Sequence, residues 1–331
     1  MSDPEGPAGR RRGLLFTVAP VVMAILLVVG LATVIRASTR PHPVAGQAAP
    51  AADAEPLTTA PTTTTPATTP PPTSTATPTP APDSAARLSA AVAAVDSLST
   101  ASTELGVAVL DRTTGTEELG EEGATQFYSA SVVKLFVITA LLHEQEAGEV
   151  SLSGTDDDQI TRALELSDDN AMDDLWVDHN GPALVDEMIK LAGLHDTELP
   201  EDTSQWGETL LSARDVLAVY QYVFTGLNAA DSQLVLTDLN NAGASGADGF
   251  DQSFGLLSPG SRTASTKAKQ GWMIDGSDMM LHTTGVLGAN DEYVVAVLSR
   301  QPSSRGWPAG SAVVTQAAAV LIKALGPDTT R

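Results

Sequence analysis

Between residues 36 and 82 the chain is written largely in Pro, Thr and Ala, with no aromatic residue and almost no branched aliphatic one. This tract decides which parts of the 331 residues can fold. It carries too little apolar surface to offset the entropy lost on ordering. It therefore reads as an extended, partly stiff tether whose threonines are candidate sites for O-linked sugars. Only the segment from 83 to 331 can bury a core, and its length suits one domain or two closely packed lobes.

Ahead of the tether, residues 14–35 carry no charge and follow Arg10, Arg11 and Arg12. At a helical rise of about 1.5 Å per residue this run covers the roughly 30 Å hydrocarbon layer of a bilayer. The arginines predict residues 1–13 in the cytoplasm and everything after Arg36 outside, a single-pass signal anchor. A cleaved signal peptide is the alternative, but the apolar run is longer than such a peptide's usual core. The chain has no Cys, which excludes both disulfides and a lipid-modified cysteine.

The segment after Pro82 holds 37 Asp and Glu against 13 Lys and Arg, so it bears essentially all of the net charge of −23. Such a surface repels nucleic acid and anionic lipid headgroups. It favours solubility, and no substrate is drawn from it.

Within this segment the pattern is helix, strands, helices, strands, helix. Asp83 stands as an N-cap before a helix whose Leu88, Val92, Val95 and Leu98 recur at helical spacing. A strand over 104–110 and a weaker one to about Leu119 follow, separated by a D-R-T-T-G turn. Ser129 or Ser131 then opens a strongly apolar helix closed by Gly148. Further helices are predicted over 158–166, 170–177, 182–192 and 212–224. An antiparallel meander is predicted over 266–273, 280–287 and 293–299, and a last helix over 311–325. The expectation is an α+β fold: one antiparallel sheet assembled from both ends of the domain and flanked by helices, plus an all-helical lobe from its middle.

Ser131 and Lys134 lie at i and i+3 on one face of a helix start. A serine hydroxyl needs a nearby base, and a lysine serves if burial or a neighbouring cation lowers its pKa. Free N–H groups at the helix start favour the negative charge that develops at an attacked carbonyl. Alone, S-x-x-K is compatible with an ordinary capping serine. Two further elements follow in order: Ser167-Asp168-Asp169-Asn170 at a junction of two helices, and Lys269-Gln270-Gly271 on the first strand of the meander.

With these three motifs, residues 84–326 resemble the class A β-lactamases and penicillin-binding proteins, whose signature is S-x-x-K, S-D-N and K-T-G. The resemblance implies a serine hydrolase acting on a β-lactam or a D-alanyl peptide of the cell wall, without cofactor. It makes Ser131 the acylated nucleophile, with Lys134 taking its proton directly or through water. Ser167 would relay a proton to the leaving nitrogen. Lys269 would hold a substrate carboxylate and depress the pKa of Lys134 by like-charge repulsion. The N–H groups of Ser131 and Trp272 would form the oxyanion hole. Asp169, Gln270 and Gly271 complete the substrate-binding set.

The departures carry as much information. Asp169 stands where the family has Asn, unless a one-residue shift brings Asn170 there. Gln270 replaces a hydroxyl residue, and the stretch from Ser131 to Ser167 is shorter than the family's, so part of the rim over the pocket is expected to be missing. The E-x-x-L-N loop that presents a deacylating glutamate is absent. Glu208 lies in the nearest string, E-T-L-L-S, which runs straight into a helix; Glu198 and Glu201 are weaker candidates. Two readings follow: an acyl-transfer enzyme with slow deacylation, or a cell-wall-facing binding module that keeps the groove without turnover. His143, His179 and His195 lack ligand spacing, so no metal is expected. His282 reads as a buried or pocket-edge residue, and Trp176, Trp206 and Trp307 as packing residues. Oligomeric state is not legible.

Overall fold

The structure is a computed structural model that describes residues 82–326. The predicted anchor and most of the tether lie outside the described residues. The first helix, α1 (Pro82–Asp96), begins at Pro82, so Asp83 sits in its first turn rather than capping it. Strands β1 (Glu104–Asp111) and β2 (Thr116–Leu119) form a hairpin. Near the C-terminus β5 (Lys267–Asp275), β6 (Asp278–Leu287) and β7 (Tyr293–Pro302) form the meander. Asp275 pairs with Asp278 across a two-residue Gly276-Ser277 turn whose glycine has φ +55°. The strands combine into one antiparallel sheet of order β2-β1-β7-β6-β5. The two ends of the domain meet at β1 and β7, where Val107 pairs with Val297.

Both faces of this sheet are covered, which is why β1 is apolar at nearly every position. Side chains alternate along a strand. Val107 and Val109 join a core with α1 and the last helix, α8 (Trp307–Leu325). Ala108 and Leu110 join a second core with the middle of the chain. Helix α8 starts at Trp307, earlier than the periodicity indicates, because Pro308 fits the first helical turn. Among the described residues it alone is long and apolar enough to cross a membrane, but Val314, Ala317, Ala318 and Leu321 are buried in the core with the sheet.

The second core is the helical lobe. Helix α2 (Val133–Ala147) is buried from Val133 to Leu142, apolar all round as a central helix must be, and Gly148 closes it at φ +75°. Around it stand α3 (Gly154–Glu165), α4 (Asp169–Asp178), α5 (Gly181–Ala192) and α6 (Ala213–Thr225). Helix α3 starts four residues before its predicted position. The Ser153 hydroxyl accepts from the Thr155 and Asp156 amides while Asp156 accepts from the Ser153 amide, a reciprocal capping box. Helix α7 (Ala229–Asn240), capped by Asn228, is absent from the sequence-based expectation.

Candidate active site

The approach to α2 is fixed from three sides. Strand β3 (Phe127–Tyr128) pairs with β4 (Leu210–Leu211), and the next amide, Ser129 N–H, donates to the Thr209 carbonyl at 2.8 Å. The Ser129 hydroxyl donates to the Gly207 carbonyl at 3.1 Å. From the sheet, His282 on β6 bonds through Nε2 to the Tyr128 carbonyl at 2.8 Å, and its Nδ1 accepts from the Ser299 amide at 3.1 Å. An N–H donating to Nδ1 fixes the neutral Nε2–H tautomer. Burial agrees, pushing the imidazole pKa down to about 4. Ala130 then adopts φ +46°, and a single 3-10 turn, Ala130–Val132, delivers Ser131 to the surface side of α2. Neither Ser129 nor Ser131 caps the helix with its side chain.

Ser131, 5 % exposed, accepts a hydrogen bond from Lys134 Nζ at 2.9 Å. Lys134 is fully buried and also donates to the Ser167 carbonyl and to Asp169 Oδ1, each at 2.6 Å. All three of its N–H bonds are engaged. Ser167 occupies a left-handed conformation at φ +53°, and this turns its carbonyl towards Lys134 while its hydroxyl accepts from Lys269 Nζ at 2.6 Å. Asp168 takes the N-cap of α4, accepting from the Asn170 and Ala171 amides, and pairs with Arg162. That leaves Asp169, not Asn170, as the side chain that meets Lys134; the Asp169 side chain is 62 % exposed.

Lys269 stands on β5 opposite Thr284, with its Nζ fully buried behind Ser167. Strand β5 is an edge of the sheet and packs on the Ser131 turn at Gly271. A Cβ there would lie 3.1 Å from both the Ser129 carbonyl oxygen and a Val132 methyl, so a larger residue would require the turn or the strand to give by a few tenths of an ångström.

Three expectations are corrected. Lys134 does have a lowered pKa, but burial is the chief cause, with Asp169 opposing it. Repulsion between the two ammonium groups comes second to burial: the Lys269 pKa is driven well down by burial first and by Lys134 second. Gln270 does not face Ser131: its amide nitrogen donates to the Gln252 and Phe254 carbonyls at 3.2 and 2.5 Å on the opposite side of the strand. Trp206 is more than a packing residue. Lys134 Nζ lies 4.8 Å from its ring centroid, and its indole N–H donates to Asp173 at 2.7 Å. Trp272 stacks on Phe250 and donates to Asp248, whereas Trp176 and Trp307 pack as expected.

Beside Lys134 opens a cavity of about 360 Å³ lined by Asp169, Asp173, Ser204, Gln205, Trp206 and Gly207. Glu208 ends the 3-10 turn Trp206–Glu208, one residue beyond this lining, while Glu198 and Glu201 are exposed. The return of residues 206–211 to the nucleophile is what sequence reading missed. Its only local signal was the short apolar pair Leu210-Leu211.

A sequence profile described as "Beta-lactamase enzyme family" matches residues 87–156, which include Ser131 and Lys134. The chain is 34 % identical over 229 residues to "Putative lipoprotein LppW" of Mycobacterium tuberculosis and of Mycobacterium bovis, a match spanning 68 % of this chain and 71 % of theirs. Among solved structures it is similar to a class A β-lactamase from Bacteroides cellulosilyticus, with a TM-score of 0.58 at 15 % identity over 72 % of this chain and 98 % of that one. It is also similar to a β-lactamase from Chitinophaga pinensis, with a TM-score of 0.57 at 16 % identity over 70 % and 97 %. At these identities the structures establish the fold, and the mycobacterial relatives carry the kinship in sequence. The chain belongs to the family of these mycobacterial proteins, its residues 87–156 carry the β-lactamase family profile, and its α+β fold is that of the class A β-lactamases.

Proposed function

We propose that this chain is an acyl-transfer enzyme that forms an acyl-Ser131 intermediate with a β-lactam or a D-alanyl-peptide-like amide of the cell wall. The observation that carries the reading is the convergence of Ser131, Lys134, Ser167 and Lys269 through bonds of 2.6–2.9 Å, from three separated parts of the chain. Ser131 Oγ attacks the carbonyl carbon and its proton passes to Lys134. That transfer needs a lone pair on Nζ, so Lys134 must first release one proton to Asp169 or to solvent beyond it. The amide N–H groups of Ser131 and Trp272 receive the developing oxyanion. As the tetrahedral adduct collapses, the C–N bond breaks and Ser167 Oγ–H gives its proton to the leaving nitrogen, to be reprotonated from Lys269.

A catalytically degenerate binding module is the second reading. It is favoured by the engagement of all three Lys134 donors and by the Gln270 side chain turned away from the nucleophile. In both readings the domain is extracytoplasmic. The mycobacterial relatives are named lipoproteins; with no cysteine to lipidate, this chain would reach the membrane through residues 14–35 instead.

Intact mass of the full-length protein after incubation with a penicillin separates the readings. The enzyme gains one acyl mass, located on Ser131, and Ser131→Ala gains none while melting within a degree or two of the parent. Equal labelling of Ser131→Ala at another residue would overturn the assignment. No adduct on the parent favours the binding module.

A further inference from the structure

Resting on the acyl-Ser131 reading, we infer that Asp169, with Asp173 and Trp206, makes this site selective for acyl donors that carry an ammonium group and lets that group activate Lys134. A carboxylate only accepts hydrogen bonds, so the part of a substrate lying against Asp169 must donate. Asp169 is 2.6 Å from the lysine that contacts the nucleophile, and its largely exposed side chain lines the adjoining cavity. An acyl chain on Ser131 that extends past Lys134 towards this cavity runs beside it.

The rest of the cavity has the same preference. Asp173 supplies a second carboxylate, none of the lining residues is basic, and Lys134 already shows that the Trp206 ring accepts a cation at its face. The cations around the site already have partners. Arg162 is paired with Asp168, Lys134 with Asp169, and Lys269 is buried behind the Ser167 hydroxyl.

Binding and activation are then coupled. At rest Asp169 holds Lys134 as an ammonium with all three N–H bonds engaged. A substrate ammonium on Asp169 takes over that carboxylate and adds positive charge beside Lys134. Lys134 is faced by Asp168, Asp169 and Asp173 from the start of α4 and repelled by Lys269 from β5. It then releases a proton to solvent and gains the lone pair that receives the Ser131 proton. The cation thus speeds acylation as well as tightening binding.

The test uses the full-length protein and p-nitrophenyl esters of 6-aminohexanoic acid, heptanoic acid and the pimelic half-ester, which differ only in ending with ammonium, methyl or carboxylate. Acylation of Ser131, followed by nitrophenolate release and adduct mass, is expected to fall in that order, with at least about tenfold between ammonium and methyl. The acid limb of the acylation rate should lie at lower pH for the ammonium ester than for the methyl ester. Asp173→Asn and Asp169→Asn should each shrink the ammonium-to-methyl ratio several-fold, a ratio taken within each variant. A ratio near one, or one unchanged in a folded Asp173→Asn protein, overturns the inference and leaves the acyl-enzyme standing. If no ester acylates Ser131, the acyl-enzyme reading fails. Saturable, Trp206-dependent quenching of fluorescence by 6-aminohexanamide but not by hexanamide then upholds the cation site, and its absence removes that too.

Discussion

His282 shows how one buried side chain sets both the geometry of the nucleophile and the acid sensitivity of the fold. Its neutral ring joins the Tyr128 carbonyl, three residues before Ser131, to the Ser299 amide on β7. Its pKa of about 4 lies below the 6.5 of an exposed imidazole, so between these values the unfolded chain binds a proton that the folded chain refuses. Stability from this group is complete above pH 6.5, is lost progressively as pH falls to about 4, and levels off below. The whole loss is about 3 kcal/mol. Asp238, raised to about 6 by burial, works in the opposite sense, so the contribution is read as a difference between proteins. Denaturant titrations of the parent and of His282→Gln between pH 4 and 7 should diverge in slope, the variant losing less stability on acidification. Parallel curves would remove His282 from the account. At this scale the sequence was legible where motif and strand period agree, and misleading where period was ignored. Lys269 facing the nucleophile already sends Gln270 to the other face. The role of Trp206 was hidden, because nothing local to residue 206 signals contact with Lys134, seventy-two positions earlier.

Between α5 and α6, residues 206–211 take the form of a 3-10 turn and a two-residue strand paired with β3. This segment is stapled to the backbone approaching Ser131 rather than looping out, and it contains no E-x-x-L-N string. A positioned base for the deacylating water typically contributes 10²–10⁴-fold. Release of the acyl group is therefore expected to be slow: a burst of product near one equivalent of enzyme, followed by a much slower steady rate. Glu208→Gln should leave that slow rate within a few-fold. Rapid steady hydrolysis of a chromogenic cephalosporin without a burst, abolished by Glu208→Gln, would make Glu208 the base and the segment a rebuilt loop. Most elements were legible because their apolar periods are strong, as in β1, α2 and the meander. Helix α7 was not: it buries only Val235, Leu236, Asp238 and Leu239 among twelve residues, and its best signal is Asn228 followed at i+3 by Asp231.

For the molecule as a whole, the apolar run at 14–35 and its three preceding arginines predict that membranes washed with alkaline carbonate retain the full-length protein. Recovery of a soluble form starting near residue 38 would show cleavage instead. The sheet has a different kind of consequence, one of order in time. Strand β1 lies between β2 and β7, and its pairing with β7 joins positions nearly two hundred residues apart, Val107 with Val297. A chain made from its N-terminus can form the β1–β2 hairpin early, but one side of β1 stays an open strand edge until residues 293–302 exist. Closing so long a loop is slow, and an open apolar edge invites pairing with other chains. Each newly made copy therefore passes through an interval, set by the synthesis of almost the entire domain, in which it is most exposed to proteases and to its own neighbours.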